Sequence, residues 1–198
     1  MSYVVPNCKL SDIECGAEYY DNVYLTKWVG PDRYKPLYQA VLREVARISS
    51  EEDVILELGC GPGNLGSMLN AHWAYRGIDF SVEAVNLARL QFPTLTVNVA
   101  DAYMSLSTED PYTTIVAVEF MEHVDDRKIV ELIRPESKVV MSLPEYGASS
   151  HLRIYRGPEY IKDRFNHLLD ITSIKPVYIL KEKFRIWITT GTRRFPPA

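Results

Sequence analysis

Hydrophobic positions change period several times along the chain, and those changes outline its elements. From Pro36 to Ile48, Leu37, Val41, Val45 and Ile48 fall near a 3.6-residue period and share one helix face, while Arg43, Glu44 and Arg47 fall away from it. The period then shortens: Val54-Ile-Leu-Glu-Leu58 is an apolar run that breaks into Gly59-Cys-Gly-Pro-Gly63, the pattern of a buried strand ending in a glycine-rich turn. Asn64 to Asn70 continues as a helix, Ala74 to Ile78 reads as a second strand closing on Asp79-Phe80-Ser81, and Ser81 with Glu83 starts a helix that Pro93 stops. Leu95–Val99 predicts a third strand ending at Asp101, Thr114–Val118 a fourth ending at Glu119, and Lys138–Leu143 a fifth ending at Pro144. Between the last two, Asp125 or Asp126 caps a helix running to Leu132 or Ile133. After a loop around His151, Pro158–Leu169 predicts a helix, and strands near Val177–Leu180 and Phe184–Thr190 pair as a hairpin across Lys181-Glu182-Lys183. Residues 1 to about 32 show no period but are rich in aromatics: Tyr3, Tyr19, Tyr20, Tyr24 and Trp28. They read as an arm.

Alternation of strand and helix predicts an α/β, doubly wound fold. Its mostly parallel seven-stranded sheet has helices on both faces and ends in an antiparallel hairpin. We expect a single domain, with an N-terminal arm and cap helix over residues 1–48 and a Rossmann-like core over 49–198. Ligands of such folds bind at the carboxyl ends of the strands, where Glu57 with the glycines, Asp79, Asp101, Glu119 and Pro144 fall.

Composition narrows the function classes. A chain of 198 residues with 46% hydrophobic and 24% charged residues has the size and balance of one soluble globular domain. Its 22 basic against 26 acidic side chains leave a net charge of −4, which speaks against strong nucleic-acid binding through phosphates. Arg193 and Arg194 form a short basic tail that reads as a solvated terminus. Cys8, Cys15 and Cys60 are odd in number and form no CxxC, against a disulfide framework or a thiolate zinc site. No apolar run approaches the ~18 residues of a membrane span, and no secretory signal is visible, so a cytoplasmic location is expected.

The glycine turn alone permits two readings, a tight strand-to-helix connection or a nucleotide cradle. Asp79 lies 20 residues past Gly59 at the end of the next strand, where a carboxylate can take both hydroxyls of a ribose. No GKS or GKT is present, and Glu57 brings negative charge toward the place a pyrophosphate would occupy. S-adenosylmethionine fits better, because it combines a ribose and an adenine with an ammonium and a sulfonium.

VILELGCGPGNLG, YRGIDFSVEAVNLA, VADAY and VAVEFMEHV, in this order over residues 54–144, resemble the class I S-adenosylmethionine-dependent methyltransferases. The resemblance implies that Glu57 and Gly59, Gly61 and Gly63 line the methionine moiety. It implies that Asp79 binds the ribose with Phe80 beside the adenine, that Asp101 and the Ala102 amide meet the adenine, and that Glu119 and Phe120 close the floor. AEYYDNVY resembles an N-terminal arm of some of these enzymes, which makes Tyr20 and Tyr24 candidates to cover the cofactor; a tyrosine cluster packed on the core is the other reading.

Methyl transfer from a sulfonium requires a base only when the acceptor must lose a proton. Of the four histidines, His72 and His167 lie on or beside predicted helices, whereas His123 and His151 follow strand ends. His151 is favoured as acceptor-side base or positioner and His123 is the second candidate; the alternative is that they cap a helix and order a loop. Tyr20, Glu122, Glu145 and Tyr146 are placed around a small-molecule acceptor methylated at O or N. Glu119, Glu122 and His123 form an ExxEH that resembles part of the metal site of small-RNA 3′-terminal 2′-O-methyltransferases, with His151 as a possible fourth ligand. The later histidine pair of those enzymes is missing, and no metal is expected. Three further readings stay open: that metal-assisted RNA enzyme, a noncatalytic interaction protein on the same fold, and a homodimer. A nicotinamide oxidoreductase fits the turn but not Glu57.

Overall fold

A seven-stranded mixed sheet covered by helices organises the computed structural model, which describes residues 9–26, 32–108, 111–180 and 182–196. Tyr3, Cys8, Trp28 and Lys181, named above, lie outside the described residues. Strands β1 (Val54–Leu58), β2 (Ala74–Asp79), β3 (Val97–Val99), β4 (Thr114–Ala117) and β5 (Lys138–Pro144) run parallel. The C-terminal pair β6 (Leu169–Ile179) and β7 (Phe184–Arg193) forms an antiparallel hairpin, with β7 inserted antiparallel beside β5. The order β3-β2-β1-β4-β5-β7-β6 reverses direction at β1, and the crevice at the carboxyl ends of β1, β2 and β4 opens there.

The central strands are nearly all apolar because both sheet faces are covered. Successive residues of β1 enter opposite cores. Ile55 joins Val116, Val140 and Ile188 beneath α2 (Lys35–Ile48), α3 (Asn64–Leu69) and α4 (Val82–Gln91). Leu56 and Leu58 join Ile115 and Met141 against α5 (Ala102–Leu106), α6 (Asp126–Leu132) and α7 (Pro158–Phe165). Leu37, Val41 and Val45 give α2 a fully buried stripe against the first of these cores.

Three elements differ from the sequence expectation. The arm contains a helix, α1 (Ala17–Thr26), which buries no residue completely and therefore shows no apolar stripe. The segment between β3 and β4 contains α5, and Asp101 caps it by accepting from the Met104 amide at 3.0 Å. The helix expected through Leu169 stops at Phe165, and β6 is 11 residues long. A β-bulge between Ile171 and Ser173 and the half-exposed position at the sheet edge erase its alternation, and Pro176 is tolerated because an edge strand pairs on one side only.

Candidate functional site

The glycine turn after β1 shapes the first wall of the crevice. Gly59 and Gly61 have φ of +66° and +51°, in the left-handed region. A β-carbon at Gly59 would stand 2.6 Å from Phe120 Cδ2, and one at Gly61 would stand 2.9 Å from the Tyr24 hydroxyl, so both face the crevice. Gly63 faces the other way: a β-carbon there would meet Leu95, Ala88 and Phe92. The third glycine of the motif therefore serves the packing of the turn on α4, not the cavity.

Asp79 closes the turn from the next strand. One carboxylate oxygen accepts from the Gly61 amide and the other from the Ser81 amide, each at 2.9 Å. These bonds fix the carboxylate in a buried position at the cavity wall while leaving each oxygen a further lone pair. Burial raises its pKa, and the two amides pull it back down. Asp79, Phe80, Asp101, Ala102, Gly59 and Phe120 line one cavity.

Glu57 lies deeper, on the wall of an adjoining cavity, and accepts from the Tyr75 hydroxyl at 2.5 Å. Complete burial raises its pKa to about 8, with Tyr75 opposing the shift and the Asp79 charge adding to it. The free protein therefore holds Glu57 protonated at neutral pH.

The arm roofs both cavities. Tyr20 and Tyr24 contribute to each, and the Tyr20 ring lies 5.4 Å from Phe80 and 5.7 Å from His123. The Tyr20 hydroxyl is buried without a hydrogen-bond partner among the described residues. Two carboxylates of the arm sit at helix N-termini, where exposed amides and the helix dipole favour negative charge. Asp21 accepts from Ser81 Oγ at 2.6 Å and from the Glu83 amide at 3.1 Å, at the start of α4. Glu14 accepts from the Asp125 amide at 2.8 Å, at the start of α6, and from the Tyr103 hydroxyl at 2.6 Å. A third tie runs from the Ser11 amide to the His151 carbonyl.

The loops after β4 and β5 supply the far wall. Because these strands pair in register, Ala117 against Met141, their carboxyl ends bring His123 and His151 to 4.9 Å between ring centroids. The Leu152 amide binds the Glu122 carbonyl at 2.7 Å, and Arg153 reaches back to the Met121 and Val124 carbonyls, so the two loops form one unit. Burial lowers the pKa of both histidines, that of His151 to about 4, so both rings are neutral at physiological pH. Glu119 adopts φ of +51° at the end of β4 and accepts from Tyr146 Oη and Ser142 Oγ. Such strain concentrates at functional sites. Tyr146 lines the second cavity; Glu122 is fully buried directly behind His123.

Glu145 does not join the acceptor group. Its carboxylate is held by Arg185 and by the Trp187 indole N–H of β7, on the other side of its strand end, because alternate residues of an extended chain point to opposite faces. Conversely, Tyr34 and Tyr38 line the second cavity from the start of α2, and Glu14 and Cys15 line the first. Tyr38 lies on the helix predicted from Pro36 and Tyr34 two residues before it, so no helical spacing linked the two. His72 and His167 are exposed and line neither cavity.

Residues 55–141 match the protein family described as a methyltransferase domain. No curated protein matches the chain in sequence. Among solved structures, the N-methyltransferase NodS of Bradyrhizobium japonicum in complex with S-adenosyl-L-homocysteine superimposes with a TM-score of 0.69 at 15% identity, covering 90% of this chain and 99% of the other. The 1,6-didemethyltoxoflavin-N1-methyltransferase of Burkholderia thailandensis, with its substrate and S-adenosylhomocysteine bound, gives 0.70 at 14% identity over 90% and 87%. Magnesium protoporphyrin IX methyltransferase of Synechocystis with bound SAM gives 0.61 at 14% identity over 94% and 99%. The chain has the fold of these methyltransferases, and residues 55–141 match the methyltransferase-domain family.

Proposed function

We propose that this methyltransferase-fold chain is an S-adenosylmethionine-dependent enzyme that methylates an oxygen or nitrogen of a small-molecule acceptor. One observation carries the reading: a buried carboxylate, Asp79, pinned by the glycine-turn amide, opens into a cavity that adjoins a second, tyrosine-walled cavity bearing two neutral histidines. The donor set suits this cofactor. Carboxylates at Asp79 and Glu57 favour a diol and a cation, and the turn sequence carries no GKS or GKT lysine to hold a pyrophosphate. The buried Tyr20 hydroxyl, without a hydrogen-bond partner among the described residues, is a group that a ligand would satisfy.

When bound, the cofactor supplies a methyl group on a sulfonium. Asp79 accepts from the ribose hydroxyls, Asp101 and the Ala102 amide meet the adenine, and Phe80 packs beside it. Glu57 gives up its proton to hold the ammonium. Tyr20 and Tyr24 cover the cofactor and place aromatic faces toward the sulfonium, a contact of about 0.5–2 kcal/mol. On the acceptor side, His151 and His123 present unprotonated ring nitrogens to a hydroxyl or amine that must lose a proton, and Tyr146 orders the same wall. The acidic net charge favours a small molecule over RNA as acceptor.

The test is a screen of metabolites and short RNAs for labelled methyl transfer, preceded by calorimetry with S-adenosylhomocysteine and NAD. Binding of the former and transfer to a small molecule are the expected results. Absence of S-adenosylhomocysteine binding would favour a noncatalytic scaffold and overturn the reading.

A further inference from the structure

The second cavity carries one cation that the proposed chemistry leaves unused. Arg33 stands on the short helical turn Asp32–Tyr34 just before α2 and is the one lysine or arginine among the described residues lining either cavity. Its guanidinium lies 4.5 Å from the Tyr34 ring centroid, and Nη2 donates to the Tyr34 hydroxyl at 2.6 Å. These contacts hold the group in place without neutralising it. Nε is buried and has no hydrogen-bond partner among the described residues, and no carboxylate among them forms an ion pair with Arg33. Partly buried arginines elsewhere are paired: Arg153 and Arg164 share Asp126, and Arg185 is held by Glu145. A buried donor with neither water nor acceptor is costly, more so on a cation, and such a group in a cavity wall calls for an anionic ligand.

Its surroundings decide which end of the cavity Arg33 serves and what shape of ligand it suits. Burial raises the pKa of Glu119, and the Tyr146 hydrogen bond and then the Arg33 charge oppose that rise, so Arg33 acts on the wall assigned to the acceptor. At the end assigned to the ammonium, Glu57, raised by burial, is acted on instead by Tyr75 and Asp79. The Tyr34 and Tyr38 rings stack with centroids 6.0 Å apart and planes at 30°, and Tyr146 lines the same cavity. Flat aromatic walls favour a flat ligand.

We propose that Arg33 anchors a carboxylate of the methyl acceptor, so that the acceptor is a small planar acid whose ring packs along Tyr34 and Tyr38. A planar guanidinium fork matches a planar carboxylate, and one positive charge balances one negative charge. A phosphate monoester would bring about two negative charges to a wall that already holds Glu119. The anchored carboxylate is not the group methylated: the guanidinium N–H groups draw on its lone pairs and weaken it as a nucleophile, which leaves a separate hydroxyl or amine to take the methyl group. The assignment of this acid as acceptor rests on the proposed methyl transfer; the anion site itself does not.

The test uses the full chain, with and without S-adenosylhomocysteine, titrated in a calorimeter with benzoate, the simplest planar aromatic carboxylate. Benzamide and phenyl phosphate serve as its uncharged and more highly charged counterparts. One benzoate per chain is expected, bound more tightly than either counterpart. Arg33→Met should weaken benzoate binding by at least about tenfold, as loss of a charge-assisted hydrogen bond predicts, and Arg33→Lys, which keeps the charge but not the fork, should fall between. S-adenosylhomocysteine affinity should be nearly unchanged in both variants, and circular dichroism shows that each is folded. Absence of saturable benzoate binding, equal binding of benzamide, or benzoate binding that both variants leave unchanged overturns the site. Tighter binding of phenyl phosphate overturns the carboxylate assignment in favour of a phosphate. If Arg33→Met loses S-adenosylhomocysteine but binds 5′-methylthioadenosine, which lacks the amino-acid end, as the unaltered chain does, Arg33 holds the cofactor carboxylate and its acceptor role is overturned. S-adenosylhomocysteine binding without benzoate binding removes the acid and keeps the methyltransferase reading. Arg33-dependent benzoate binding without S-adenosylhomocysteine binding does the reverse, so the two failures are distinguishable.

Discussion

The protonated Glu57 makes cofactor binding pH-dependent in a direction that can be worked out in advance. Its pKa is raised to about 8 in the free protein, because the carboxyl is completely buried beside Tyr75 and Asp79. A cationic ammonium binds the carboxylate, not the acid, so each binding event at lower pH must expel one proton. Affinity for S-adenosylhomocysteine therefore rises with pH below the pKa, by about tenfold per unit or about 1.4 kcal/mol. The range to use is pH 6 to 7, below the Glu57 pKa, where the carboxyl is protonated in the free protein and the ligand's amino group is charged. His151, with its pKa lowered to about 4, stays neutral throughout this range, and burial lowers that of His123 as well. Isothermal titration in two buffers of different ionisation enthalpy measures both the affinity and the released proton. Glu57→Gln keeps the shape and removes the titration, so its affinity should be flat between pH 6 and 7, with no proton released. A wild-type affinity that does not change over this unit, or a slope that persists in Glu57→Gln, would refute the placement of the ammonium at Glu57.

Further outcomes follow from the same geometry. Asp79→Ala should weaken S-adenosylhomocysteine binding by at least about 100-fold, since it removes charge-assisted hydrogen bonds worth about 1.5–3 kcal/mol each; unchanged affinity in calorimetry would end the ribose assignment. His151→Ala should slow methyl transfer by about 10²–10⁴-fold, the usual contribution of a general base, with cofactor affinity nearly intact. Equal turnover would make it a loop-ordering residue. Asp21→Ala removes the acceptor for Ser81 Oγ and the Glu83 amide and should cost about 1–2 kcal/mol in the docking of α1. Stopped-flow release of the cofactor should be faster by about tenfold; an unaltered off-rate would show that the arm does not hold it.

Much of the fold is legible because it is encoded locally. The apolar run of β1, its break into glycines, and the Ser81 and Asp125 caps are each decided by residues within a turn or two of one another. Short-range backbone geometry acts on exactly such neighbours' spacing, and so the order of strands and helices, the crevice and Asp79 follow from the chain alone. The misses have physical causes as well. α1 has no apolar stripe because it sits over a site rather than on the core, and β6 loses its alternation to a bulge.

Orientation lies beyond such local rules. Nothing in the sequence turns Gly63 toward α4 or Glu145 toward β7; the packing of one element on another does. The pairing of His123 with His151 is the clearest case, since 28 positions separate them and no local pattern links them. They meet because β4 and β5 are parallel and in register, so that both loops leave the sheet at one level. The sequence alone determined which chemical groups stand at the strand ends. The tertiary structure decided which of them face one another, and which, like Glu122, are fully buried, because burial and contact are properties of the assembled sheet and not of any single segment.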